Sequence, residues 1–224
     1  MRTLGQRHSI ARRIAGVAGI SAVAMIGVVV PAVAQPPAEH AQSGARGHAA
    51  TIDTYASWDG KSSTSGFGCG GGTDLGQVVT VPEGKTTIDK YDFWVLYGGQ
   101  SGSLVLRTEI YAWDGSKASG PALYESRPQT IDYTDDKYHK LSYKPAGVQV
   151  TAGQQYLIFG TIDKDYEQCD GVYGLRWASV TGDVYPGGQS EYQRDFGDES
   201  EWTLMKWRRP HNDDNDLTFR AYLS

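Results

Sequence analysis

The chain has 224 residues, a net charge of −5, two cysteines and 28 glycines. That length suits one ordinary domain and is short for two. The acidic balance argues against a nucleic-acid partner, because displacing phosphate counterions needs a basic surface.

Residues 1–34 read as an export signal. Arg2, Arg7, Arg12 and Arg13 form a positive head, Ile14 to Val33 an apolar run, and Ala32-Val33-Ala34 a small-x-small cleavage pattern. Ser21, Pro31 and the Gly and Ala content argue against a retained anchor. Four arginines leave with this segment and no acid does, so the 190 remaining residues carry −9. No apolar run among them approaches the roughly 18 residues that span a bilayer. The mature chain is therefore expected to be secreted and extracellular. Residues 35–52 have the Pro, Ala, Gln, Gly and His content of a flexible linker. The domain is expected over 53–224; none of the 25 aromatic residues precedes Tyr55.

Cys69 and Cys169 both fall in the exported part. An even pair in an oxidising compartment reads as a disulfide, here closing a loop of 100 residues. Neither sits in a CxxC motif, and no further thiol exists to complete a zinc set. The bond would tie the Gly-rich segment GFGCGGG (66–72) to a loop of the second half.

From Leu75 the dominant period is two. Tyr91, Phe93 and Val95 alternate with Asp92 and Trp94. Leu104, Leu106, Thr108, Ile110 and Ala112 alternate with Val105, Arg107, Glu109, Tyr111 and Trp113. Leu217, Phe219, Ala221 and Leu223 alternate with Thr218, Arg220 and Tyr222. Such alternation marks strands with one buried face. Further strands are expected at 77–81, 138–143, 155–162, 172–178 and 202–207. Turn signals separate them: PEGK (82–85), YGGQSGS (97–103), WDGSKASGP (113–121), KPAG (144–147), TAGQ (151–154) and YPGGQ (185–189). This rhythm predicts an all-β fold, an antiparallel two-sheet sandwich of jelly-roll-like kind with one disulfide.

Four phrases carry a resemblance: VVTVPEGKTTIDKYDFWVL (78–96), EIYAWDGSKASGPALYES (109–126), VQVTAGQQYLIFG (148–160) and DLTFRAYL (216–223). Together they resemble a group of secreted bacterial β-sandwich domains of largely uncharacterised function. The resemblance covers most of 75–224 in order and implies a jelly-roll-like extracellular domain. It brings no catalytic residue set. The two cysteines and the RRPHNDDND segment depart from the group's pattern.

Chemistry is sparse. There is no GxSxG, no SxxK and no HExxH, and only His139 and His211 lie in the domain, too few for a three-histidine zinc site. HNDDND (211–216) gathers Asp213, Asp214, Asn215 and Asp216, hard oxygens that could hold a structural calcium or simply form a turn. Glu109 is the one weak catalytic candidate. With Glu191, Glu199 or Glu201 it could form the carboxylate pair of a small polysaccharide hydrolase. Trp94, Tyr111, Trp113, Trp177, Trp202 and Trp207 form a pool of outward-phase rings, and flat rings stack on the apolar faces of sugars. Arg107, Glu109, Tyr111 and Trp113 share one strand phase and form the best ligand-binding strip. The leading expectation is a non-catalytic module binding an extracellular polysaccharide or cell-surface glycan through exposed aromatics. The alternatives are a structural or protein-interaction domain of the envelope and the Glu-pair hydrolase.

Overall fold

The computed structural model describes residues 49–224 apart from 65–66, 69–71, 98–102, 133–134, 169–172 and 211–214. For 97, 166–168, 173 and 174 only the backbone is described. The signal segment, most of the linker, Cys69, Cys169, His211, Asp213 and Asp214 thus lie outside the described residues.

Strand is the dominant regular structure of the described chain. In chain order these are β1 (Ile52–Asp53), β2 (Phe67–Gly68), β3 (Asp74–Thr80), β4 (Thr87–Tyr97), β5 (Leu104–Trp113), β6 (Ala118–Glu125), β7 (Gln129–Ile131) and β8 (Tyr138–Tyr143). Then follow β9 (Val148–Gln149), β10 (Gln155–Thr161), β11 (Tyr173–Trp177), β12 (Ser179–Val180), β13 (Ser190–Gln193), β14 (Asp216–Leu217) and β15 (Phe219–Leu223). Among the described residues, every pairing between these strands is antiparallel. One large sheet runs β1-β15-β4-β11-β2, with β8 and β9 also on β4; a second runs β13-β3-β10-β5-β6, with β7 on β5; β12 and β14 pair as a small third sheet. No described helix is long and apolar enough to cross a membrane.

The two sheets share one core. Tyr91, Phe93 and Val95 of β4 pack with Leu104, Leu106 and Ile110 of β5, Ile158 of β10 and Phe219 of β15, all at most 1% exposed. Apart from Ile158, these are the residues that the period of two assigns inward. The linker ends a little earlier than its composition suggests: Thr51 already donates its amide to Ala221, and Ile52 pairs with Ala221 in β1.

Three differences from the sequence reading have physical causes. The expected strand 202–207 contains instead a one-turn helix, α1 (Glu201–Leu204). A strand would send Trp202 and Trp207, five positions apart, to opposite faces; the turn lets both enter one apolar cluster. β6 lies where a turn was expected. The turn is only Asp114 to Lys117, closed by the Asp114 carboxylate accepting the amides of Ser116 and Lys117. Beyond it, β6 is mostly exposed, so it has no apolar alternation to reveal it. β13 lies outside the expected strands, and its sequence SEYQ carries no apolar alternation.

The central strands of the six-stranded sheet are buried on both sides. The sheet's outer face carries Val78, Leu157, Phe159, Tyr111 and Trp113, and these pack under Trp202 and Trp207. Trp202 meets Phe159 edge to face at 5.1 Å, and Trp207 meets it at 5.0 Å. The Trp207 indole donates to the Trp202 carbonyl at 3.1 Å, so the two anchors hold each other. Gly76 lies opposite Phe159 in this face, where a Cβ would collide with the Cβ of Phe159 and the carbonyl of Ile158. Trp202→Ala removes the centre of this cover and should lower the unfolding free energy by about 3–5 kcal/mol, measured by urea denaturation.

Candidate functional site

The outer face of β5 is built as the period of two assigns it, but it is not open. Glu109 is 0%, Tyr111 9% and Trp113 8% exposed. The expected pool of outward rings is buried throughout, with Trp94, Trp202 and Trp207 all below 9% exposed. Trp177 faces the other way altogether. It fills the core between the sheets, edge-on to Phe93 at 4.8 Å, and its ring occupies the space a side chain at Gly160 would need.

At the polar end of β5, charges close on one another around Lys164. Its ammonium lies 2.9 Å from Glu109, 2.7 Å from Glu125 and 3.6 Å from Glu199. Arg107 pairs with Asp165 at 2.8 Å and with Glu125 at 2.9 Å. Burial raises the Glu109 carboxyl, with Lys164 pulling the other way. Burial alone would lower Lys164; Glu125 and Glu109 outweigh it and raise the ammonium. Burial, with the Glu109 charge beside it, pushes the Tyr111 hydroxyl up to about 12. Glu109 thus spends its charge on a lysine under an aromatic cover. Glu191 lies in the same cross-sheet row, through Gly76 and Phe159. Three strand spacings separate it from Glu109, roughly 14 Å. That is beyond the span of a glycosidase pair, which removes this combination as catalytic.

Of the four residues expected to hold calcium, the two described ones hold backbone. Asp216 accepts from Gln77 at 2.8 Å and from the amides of Val184 and Tyr185 at 2.9 and 2.8 Å. The Asn215 side chain accepts from the Gly182 amide at 3.0 Å. Both therefore act as turn formers, and they border a polar cleft of about 150 Å³ with Asp183, Gln189 and Arg209.

A second carboxylate group was not visible in the sequence. Asp74 opens β3, Asp163 follows β10 and Asp195 follows β13, and antiparallel pairing brings these strand ends together. One oxygen from each lies within 4.8 Å of the others. All three are buried, at 0%, 5% and 8% exposure. Asp163 accepts from the Trp202 indole and the Gly197 amide, and Asp195 from Thr73 at 2.7 Å. Burial, reinforced by Asp163 and Asp195, holds the Asp74 carboxyl well above the usual range. Burial, then Asp195, lifts Asp163 to about 8.

A cluster of half-buried rings lies on the outer face of the other sheet. Lys90, Asp92 and Trp94 of β4, Lys140 and Ser142 of β8, and Arg220 and Tyr222 of β15 share its outer face by register. Asp92 is buried at the centre, accepting from Ser142 at 2.6 Å, Lys90 at 3.1 Å and Tyr222 at 3.3 Å. The 3-10 turn Tyr55–Ser57 lays Tyr55 on Trp94, stacked at 4.3 Å. Arg220 lies over Tyr55 at 4.4 Å, and Trp58 meets Tyr138 edge to face at 4.6 Å. Tyr55, Trp58, Tyr138, Arg220 and Tyr222 are all half-buried. Comparison with protein-family models and with curated proteins finds no match to the chain.

The carboxylate group has a pH consequence. A carboxyl raised in the folded state keeps its proton after the unfolded chain has lost it. Its stabilising contribution is full below the unfolded value near 4 and is lost as pH rises through the folded value, about 8 for Asp163. In chelator-containing buffer the melting temperature should therefore fall by several degrees between pH 5 and pH 8.

Proposed function

We propose that the protein is an exported, non-catalytic β-sandwich module, jelly-roll-like in fold, that binds extracellular polysaccharide or cell-surface glycan. The observation that carries this reading is the outer face of the seven-stranded sheet. There the half-buried rings of Tyr55, Trp58, Tyr138 and Tyr222 stand beside Lys90, Lys140 and Arg220. Rings take the apolar faces of sugars, and the charged chains take hydroxyls or acidic substituents. The binding surface is therefore moved from the β5 strip to this face. Arg107, Glu109, Tyr111 and Trp113 become the support of the opposite sheet. On a panel of neutral and acidic insoluble polysaccharides, the folded protein should be retained by at least one. Trp58→Ala and Tyr138→Ala should each weaken retention ~10-fold, a loss of about 1.4 kcal/mol, with the melting temperature little changed. Trp113→Ala should lower stability and leave retention intact. No retention on any polymer overturns the reading in favour of a structural or protein-interaction domain.

The Cys69–Cys169 disulfide belongs to the same reading. β2 ends one residue before Cys69, and its Gly68 pairs with Tyr173 of β11, four residues after Cys169. The two cysteine-bearing segments therefore adjoin paired strands. Intact mass should rise by about 2 Da on reduction, with no thiol titratable in the unreduced, unfolded protein.

A further inference from the structure

The structure assigns a calcium-ion site to the carboxylates of Asp74, Asp163 and Asp195, with the side-chain amide of Gln193 as a further oxygen donor. Two observations beyond the cluster itself carry this. First, Asp74 Oδ1 and Asp195 Oδ2 are buried without any hydrogen-bond donor. Asp74 is 0% and Asp195 8% exposed, and each belongs to the trio whose oxygens converge within 4.8 Å. Buried carboxylate oxygens are ordinarily met by donors, because leaving them bare is costly. Second, Gln193 stands directly across from Asp74 in the β13–β3 register, on the same sheet face. It is 5% exposed, and neither its amide oxygen nor its amide nitrogen has a partner. A cation at the convergence point answers the bare carboxylate oxygens and the Gln193 amide oxygen.

The donor chemistry selects the ion. The site offers oxygens from carboxylates and an amide, a hard set. Three carboxylates supply ample negative charge. Lys164, next to Asp163 in the chain, pairs with Glu109, Glu125 and Glu199, and Arg194, next to Asp195, lies over the Phe196 ring at 4.7 Å. Calcium accepts six to eight oxygens in irregular geometry, whereas magnesium demands a near-ideal octahedron and keeps its waters. The ion would knit the beginning of β3 to the segments leaving β10 and β13. Those segments include the loop that carries Trp202 over the sheet, because the Trp202 indole donates to Asp163.

The test uses purified protein stripped with EDTA and titrated calorimetrically with CaCl2 and, separately, MgCl2. One Ca²⁺ per chain is expected, with Mg²⁺ binding at least ~10-fold more weakly. The melting temperature should rise by roughly 5 °C or more in millimolar Ca²⁺. Asp195→Asn and Asp163→Asn should each cut affinity ~10-fold or more, and Asp213→Asn should leave it unchanged. Because these variants could fail to fold, the site is also read in the unmodified chain with Tb³⁺. Bound beside the Trp202 indole, it should luminesce on tryptophan excitation and be displaced by Ca²⁺. Identical melting in EDTA and Ca²⁺ with no stoichiometric uptake overturns the site and leaves shared protons as the resolution. So does Ca²⁺ binding that survives Asp195→Asn and Asp163→Asn but is lost in Asp213→Asn, or Ca²⁺ binding without tryptophan-sensitised Tb³⁺ emission.

Discussion

The structure depends on one constraint: the centre of the six-stranded sheet is apolar on both faces and must be covered twice. The inner face meets the other sheet. The outer face is covered by the excursion after β13, which returns Trp202 and Trp207 onto Phe159. A sandwich sheet ordinarily keeps one face in water. Here Leu157 and Phe159 are as deeply buried as Ile158 between them, at 0%, 0% and 1% exposure. β10 is therefore a continuous apolar strand in the middle of an antiparallel sheet, and the alternation that marks a strand with one buried face is lost in it.

That cover governs the chemistry beneath it. Charges placed on an exposed sheet face would be solvated and unremarkable. Under Trp202 and its loop, Glu109 needs Lys164, and the three aspartates are forced together with little water. Buried ionised groups persist only when paired, protonated or bound to a cation. Both polar clusters sit at the rim of the cover, where strand ends and the 3-10 segment Asp163–Gln168 supply backbone and side-chain partners. Among the described residues, the seven-stranded sheet has a light lid, the turn at Tyr55, and keeps half-buried rings.

How much of this the sequence revealed follows from the range of each interaction. Strand phase is local, so Tyr91, Phe93 and Val95, the inward side of β5 and the last strand were all readable from alternation. Whether the second face of a strand meets water is not local. Tyr111 and Trp113 have the correct outward phase, yet residues some ninety positions away bury them. Trp177 was misread because its large ring looked like surface decoration, when Gly160 had cleared a place for it in the core. The acidic run ending in Asp216 was conspicuous, yet its two described members serve as acceptors for backbone and Gln77. The aspartate trio is spread over positions 74, 163 and 195 and has no spacing signature; only sheet register unites it.

The distribution of indoles gives the molecule a built-in optical division of labour. Of the six tryptophans, Trp94, Trp113, Trp177, Trp202 and Trp207 are nearly sealed, and Trp58 alone is half-buried. Emission quenched by a small neutral quencher therefore comes chiefly from Trp58 on the face of the seven-stranded sheet. The unquenched, blue-shifted remainder comes from the core and its cover. One spectrum of the unmodified chain thus separates events at that outer face from loosening of the sandwich, with no label attached.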